Sequence, residues 1–172
     1  MSADRTPIAA PDGTLEPAAE GWMLRFERVY PHAPQEVWDA LTRPERLVQW
    51  MYPGEVEVSI DLVEGGGYDV RSIAGDPWEV HMTVLRVDPP RLLEHTHVNP
   101  SAVMRWQLDP DGQGCRLIFT QSEPAREPVV ENHFLSGMHH SLDRLADELA
   151  GAPTPWDWAR WEELRDAYAA LA

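Results

Sequence analysis

Residues 37–50, VWDALTRPERLVQW, hold a helical spacing of apolar residues that is interrupted and at once resumed. Val37, Trp38, Ala40 and Leu41 mark one short helix; Leu47, Val48 and Trp50 mark a second. Pro44 divides them, because its ring drives the preceding residue out of the α region while its own φ suits the first turn of a new helix. Pro34 opens the first helix, with Glu36 in the first turn. Two such helices meeting at a proline corner can turn around the edge of something larger, and Trp50 is placed to anchor the closing end.

The flanking segments say what that larger body is. Before the helices, residues 22–31 (WMLRFERVYP) alternate Leu24, Phe26, Arg28 and Tyr30 against Met23, Arg25, Glu27 and Val29, the pattern of a strand. After them, EVEVSIDLVEGGGYDVRS alternates Val56, Val58, Ile60 and Leu62 with polar residues and turns on Gly65–Gly67, a hairpin. WEVHMTVLRV, RLLEHTHV, AVMRWQLD and CRLIFTQS follow, separated by Pro- and Gly-rich turns. This gives one strand, two short helices and six antiparallel strands. From Glu127 the period returns to 3.6, with Phe134, Met138, Leu142, Leu145 and Leu149 on one stripe and Gly151 and Pro153 as the stop. At about 23 residues such a helix spans roughly 35 Å, enough to cross a sheet.

The pattern predicts an α+β fold: a curved seven-stranded antiparallel sheet around a long C-terminal helix, two short helices after strand 1, and an extra Trp-rich helix at the end. Residues 1–20, rich in Ala and Pro, read as a disordered leader, residues 21–151 as the body and residues 152–172 as a helical extension. Gly137 and Ser141 leave room on the long helix, and Met104 and Met138 can repack around varied guests, which points to a cavity between helix and sheet.

Taken in order, the short-helix segment, DLVEGGGY, VLRVDPPRLLEHT and GMHHSLDRLADEL resemble the SRPBCC superfamily, which includes START, polyketide-cyclase and birch-allergen-like proteins. The resemblance covers residues 22–150 and is nearest to the Aha-type subgroup, named for activators of a heat-shock chaperone ATPase. It implies a helix-grip fold with a deep, mostly apolar cavity. Val63, Glu94, Thr96 and Met138 depart from that pattern, the first where an arginine and the last where a tryptophan is usual.

Composition narrows the function further. All 14 basic residues are arginine, against 29 acidic ones, for a net charge of -15. Such an excess repels phosphate backbones and anionic bilayers, so neither nucleic acid nor a membrane is an expected partner. Cys115 is the one cysteine, no signal-like apolar segment follows the N-terminus, and a cytoplasmic location is expected. No phosphate loop, nucleophile elbow or dinucleotide fingerprint occurs, and no cofactor is expected.

If the proline turns are tight, Leu85 pairs near Glu94, Glu94 near Trp106 and Trp106 near Leu117. The expected cavity residues are then Trp50, Tyr68, Val70, His81, Thr83, Glu94, Thr96, Met104, Trp106, Phe119, Gln121, Phe134, Met138 and Ser141. Glu94 is the notable one, since a carboxylate facing apolar space is costly unless partnered; with His81 it is the candidate acid–base pair. His95 and His97 fall on the opposite face beside arginines, which argues against a metal, and none is expected. His133, Gly137 and His140 share an expected solvent-facing flank. The leading expectation is binding of a small hydrophobic or amphipathic molecule. The alternatives are a metal-free cyclase- or dehydratase-like enzyme, or a co-chaperone-like partner of a heat-shock ATPase. Trp156, Trp158 and Trp161 should pack on the protein's own body or else form a homodimer surface.

Overall fold

The computed structural model describes residues 11–126 and 133–170. Its strands are β1 (Thr14–Pro17), β2 (Trp22–Tyr30), β3 (Val56–Ile60), β4 (Gly67–Ser72), β5 (Glu79–Asp88), β6 (Leu92–Thr96), β7 (Val103–Asp111) and β8 (Gly114–Glu123). Its helices are α1 (Pro34–Thr42), α2 (Pro44–Leu47), α3 (Phe134–Leu149) and α4 (Trp158–Ala169). The sheet runs β1-β2-β8-β7-β6-β5-β4-β3, antiparallel at every pairing, so the first and last strands of the body lie side by side. The alternation in β2 puts Leu24, Phe26 and Tyr30 inward, opposite Gln121, Phe119 and Cys115 of β8.

All seven expected strands are present, and an eighth corrects both the strand count and the leader. Thr14–Pro17 lies on the outer edge of β2 with Thr14 opposite Arg25 and Pro17 opposite Trp22. Gly13 explains the hold on this segment: its N–H donates to Tyr168 Oη at 2.9 Å, and a Cβ there would collide with Phe26. The long helix starts at Phe134, with 16 residues, or about 24 Å; the part expected from Glu127 to Asn132 lies outside the described residues.

The proline corner does what its sequence asked. Trp50 is fully buried, donates its indole N–H to the Ala40 carbonyl at 3.0 Å, and so ties the end of the second short helix back to the first. α3 lays Leu135, Met138, Leu142 and Leu145 into the core with Trp38, Leu41, Trp106 and Phe119. Its other flank is covered as well, contrary to the expected solvent exposure. His139 and His140 are 2% and 5% exposed beneath α4 and the segment leading to it. Gly137 faces α4, where its missing side chain lets Trp161 Nε1 approach to 4.0 Å of the Cβ position.

Sheet register holds the main departure. Trp106 pairs with Phe119 rather than Leu117, a two-residue offset that leaves the faces of β7 and β8 as expected. In β6 the offset is one residue: Leu93, not Glu94, opposes Trp106, and Glu94 opposes Arg105. The β6–β7 connection is longer than a tight proline turn, closing with His97 N–H on Ala102 O at 3.0 Å and Ala102 N–H on Asn99 O at 2.9 Å. A bulge between Val84 and Arg86 then places Arg86 against Glu94 and Val84 against His95. A one-residue slip exchanges the two faces of a strand, so Met82, Val84, Leu93 and His95 point inward where Thr83, Leu85, Glu94 and Thr96 were expected.

Candidate functional site

A cavity of about 180 Å³ opens between the segment after α2 and strands β4 to β7; no residue of α3 lines it, so it lies beside the long helix and not between helix and sheet as expected. Met51 and Tyr52 form one wall; Val70, Trp78, Val80, Met82, Val98 and Met104 form the others; His95 and His97 supply the nitrogen atoms. For scale, an apolar cavity of about 150 Å³ accepts benzene.

The wall at Met51 and Tyr52 is held by a buried cation. Arg144, 5% exposed, points from α3 into the turn after α2. It donates to the carbonyls of Gln49 (3.0 Å), Trp50 (2.8 Å), Tyr52 (3.2 Å) and Thr154 (3.0 Å). Ser141 Oγ adds a bond to Met51 O at 2.9 Å. The guanidinium fork matches diverging carbonyls better than an ammonium would, and burial lowers its pKa. Behind this wall Tyr52 shares a hydroxyl hydrogen bond of 2.8 Å with Tyr68, and burial raises both phenols.

His95 is fully engaged. Its Nδ1 lies 2.8 Å from Thr96 O, and its Nε2 accepts the Trp106 indole N–H at 3.0 Å. One nitrogen must therefore carry the proton and the other the lone pair, a neutral imidazole; burial pushes its pKa down to about 4. His97 differs. Its Nδ1 faces Glu123 Oε1 at 3.5 Å, its ring packs edge-on against Phe134, and burial takes its pKa to about 4 as well. Glu123 closes this end of the cluster with a side chain 1% exposed. Gln121 donates to Glu123 Oε1 at 2.7 Å, and burial raises the carboxyl pKa.

Of the expected cavity residues, Val70 and Met104 line the space. Trp50, Tyr68, Trp106, Phe119, Gln121, Phe134, Met138 and Ser141 do not line it; most of them are buried in the core, with the rings of Trp106 and Phe119 tilted together at 4.4 Å. The other four were misplaced by the register. His81 is exposed beside Asp69, its Nδ1 2.7 Å from that carboxylate, which raises its pKa. Thr83 and Thr96 meet on the outer face, where Thr83 N–H donates to Thr96 Oγ1 at 2.9 Å. Glu94 pairs with Arg105 at 2.9 Å on that same face. Acid–base work inside the cavity thus does not fall to Glu94 or His81. The lining residues missed were Met51, Tyr52, Trp78, Val80, Met82, His95, His97 and Val98, with Glu123 behind His97; the signal for the two histidines was Leu93-x-His95-x-His97, an alternation as regular as Leu92-x-Glu94-x-Thr96. Among the described residues no cluster of three or more His, Cys, Asp or Glu side chains could hold a metal, and burial holds the Cys115 thiol at about 11, away from a reactive thiolate.

A sheet bent around one long helix and closed at its side by a pair of proline-joined helices defines an SRPBCC helix-grip protein. Residues 31–150 match the activator of Hsp90 ATPase homolog 1-like family, and the chain belongs to that family. No curated protein matches. Among solved structures the chain is similar to CalU16 from Micromonospora echinospora, at 27% identity over 92% of this chain and 93% of that one, TM-score 0.68. It is also similar in fold to a Bordetella parapertussis protein (23%, 96% and 94% covered, TM-score 0.72). A conserved protein of unknown function from Enterococcus faecalis shares the fold at 21% identity, with 92% and 89% covered and TM-score 0.72. No described helix is long and apolar enough to cross a membrane.

Proposed function

We propose that the protein binds a small, mainly apolar molecule in the cavity beneath Met51 and Tyr52. The observation that carries this reading is the wall chemistry: three methionines, three valines and a tryptophan around a space that the surrounding core, packed with Trp50, Trp106 and Phe119, leaves open. Well-packed interiors keep few voids of this size. An apolar space with a small number of polar groups at one end is the ordinary form of a ligand site. Its methionines are unbranched and polarizable, so the walls can adapt to the outline of a guest. The opening stands next to Trp78 and Val98, both exposed large apolar side chains.

Titration with 4-ethylanisole, followed by amide chemical shifts, tests this. Wild type should show saturable shifts centred on Val70, Val80 and Met104. Val80→Trp fills the space from β5 and should weaken binding at least tenfold while leaving the fold intact. Absence of saturable shifts in wild type, or equal affinity in Val80→Trp, would overturn the reading.

A further inference from the structure

We infer that the guest of this cavity carries a hydrogen-bond donor, an apolar molecule with one hydroxyl, and that His97 backed by Glu123 recognises it. The inference rests on the cavity reading above and adds a polar end to it. His97 lines the cavity, and its Nδ1 is turned toward Glu123 Oε1 at 3.5 Å. A carboxylate beside Nδ1 favours the tautomer with the proton on that nitrogen, which leaves Nε2 as a lone pair. No described residue hydrogen-bonds to that Nε2, whereas both ring nitrogens of the neighbouring His95 are occupied by protein groups.

Behind the ring, Glu123 shows a second unspent acceptor. Its Oε1 takes the Gln121 amide, while Oε2 is buried and lacks a partner among the described residues. Buried polar atoms in folded proteins are nearly always satisfied, so an orphan beside a cavity asks for a ligand-side explanation. Burial also keeps His97 neutral near pH 7, so its outer nitrogen stays an acceptor. The cluster therefore has acceptors to offer and its donors are already committed. A guest hydroxyl or N–H is matched there. A guest carboxylate would meet a lone pair, a buried carboxylate and a chain of net charge -15, and is disfavoured.

Three probes separate these cases: 4-ethylphenol, its methyl ether 4-ethylanisole, and 4-ethylbenzoate. The ether buries one methyl more, so a cavity blind to the hydroxyl prefers the ether. Recognition by His97 reverses that order, and 4-ethylphenol should bind about tenfold more tightly than the ether, the range of one well-placed hydrogen bond; 4-ethylbenzoate should bind weakest. His97→Leu should keep ether binding and lose the phenol preference. Glu123→Gln frees the ring to take either tautomer and should narrow the preference. Ether binding as tight as phenol binding in wild type, or a preference that survives His97→Leu, overturns the inference and leaves the cavity reading standing. If neither phenol nor ether binds, both fall. The wild-type comparison decides the matter even where a variant does not fold.

Discussion

Arg144 and His95 are both enclosed by protein, and each solves the cost of burial differently. Arg144 stays charged and spends its N–H groups on four backbone carbonyls, so the cation replaces the water those carbonyls would otherwise need. His95 gives up its charge: Nδ1 meets Thr96 O, Nε2 takes the Trp106 N–H, and a proton added to Nε2 would break the latter bond inside the core. That choice has a pH signature. The folded pKa of His95 and of His97 is about 4 against 6.5 for the free side chain. Between those values the unfolded chain takes up protons that the folded chain refuses, so stability falls as pH falls. Each fully shifted ring is worth on the order of 3 kcal/mol by pH 4. His139 and His140 are lowered too, by burial, and add to the same slope. Glu123 is raised by burial and the exposed His81 by Asp69, and both work the other way, gaining stability on acidification, but they are two groups, one of them at the surface, against four buried rings. The urea midpoint should therefore drop between pH 7 and pH 4.5, and His95→Gln should flatten the drop. Because acidification towards the pI of about 4.7 also relieves repulsion among the surplus acids, the deciding comparison is between the two proteins, and an equal change of midpoint in wild type and His95→Gln would contradict the neutral His95.

The C-terminal helix shows how far an element can be read from its spacing. Trp158, Trp161, Leu164 and Tyr168 recur at helical intervals, and the tryptophans look like the anchors. The structure gives that role to the smaller pair: Leu164 is fully buried and Tyr168 bridges His139 and Gly13, while Trp158 is 59% exposed, edge-on between Trp156 and Trp161. Leu164→Ala should accordingly cost roughly 2–4 kcal/mol, as a buried leucine does, whereas Trp158→Ser should fall within about 0.5 kcal/mol of wild type. Thermal denaturation of the two variants checks the ranking; a larger loss from Trp158→Ser would show that the exposed ring, not Leu164, holds the helix. Strand β6 teaches the complementary lesson. Both of its faces alternate regularly, so nothing within Leu92–Thr96 chooses between them; the choice is made by the length of the 97–102 connection and the bulge near Leu85, neither of which hydrophobic alternation reports. That is why strands, hairpins and the proline corner were legible while eight of the cavity's ten lining residues, including His97, were not. Glu123 was missed for another reason: nothing in FTQSE marks where an inward-facing strand ends, and a glutamate after two polar residues looks like the start of a loop.

At the scale of the molecule the order of elements pointed to an antiparallel sheet packed on one long helix, because one strand, two short helices, six strands and a long helix leave few ways to bury a single apolar stripe, and the resemblance to the SRPBCC superfamily supplied the helix-grip architecture. The charge belongs to this scale as well. With 29 acidic residues and 14 arginines, 15 negative charges remain in excess however the side chains pair. Several of the ion pairs lie at the surface: Arg25–Glu27, Arg71–Glu57 and Arg116–Asp111 each leave both partners more than a third exposed. Such pairs contribute little individually, about 0–1 kcal/mol, and salt weakens them. Salt also screens the mutual repulsion of the surplus carboxylates, a term that acts over the whole surface and destabilises the compact state. The Debye length shortens from about 30 Å at 0.01 M to about 3 Å at 1 M, so repulsion across the molecule is removed before contacts at 3 Å are. Repulsion is thus the larger loss, and the melting temperature should rise by several degrees between 10 mM and 0.5 M sodium chloride at pH 7.5. Sodium chloride is the right probe because sulfate would strengthen apolar burial on its own account. A melting temperature that falls over this range would mean that the arginine pairs outweigh the surplus acid, and would place the stability of the fold in its ion pairs instead of its core.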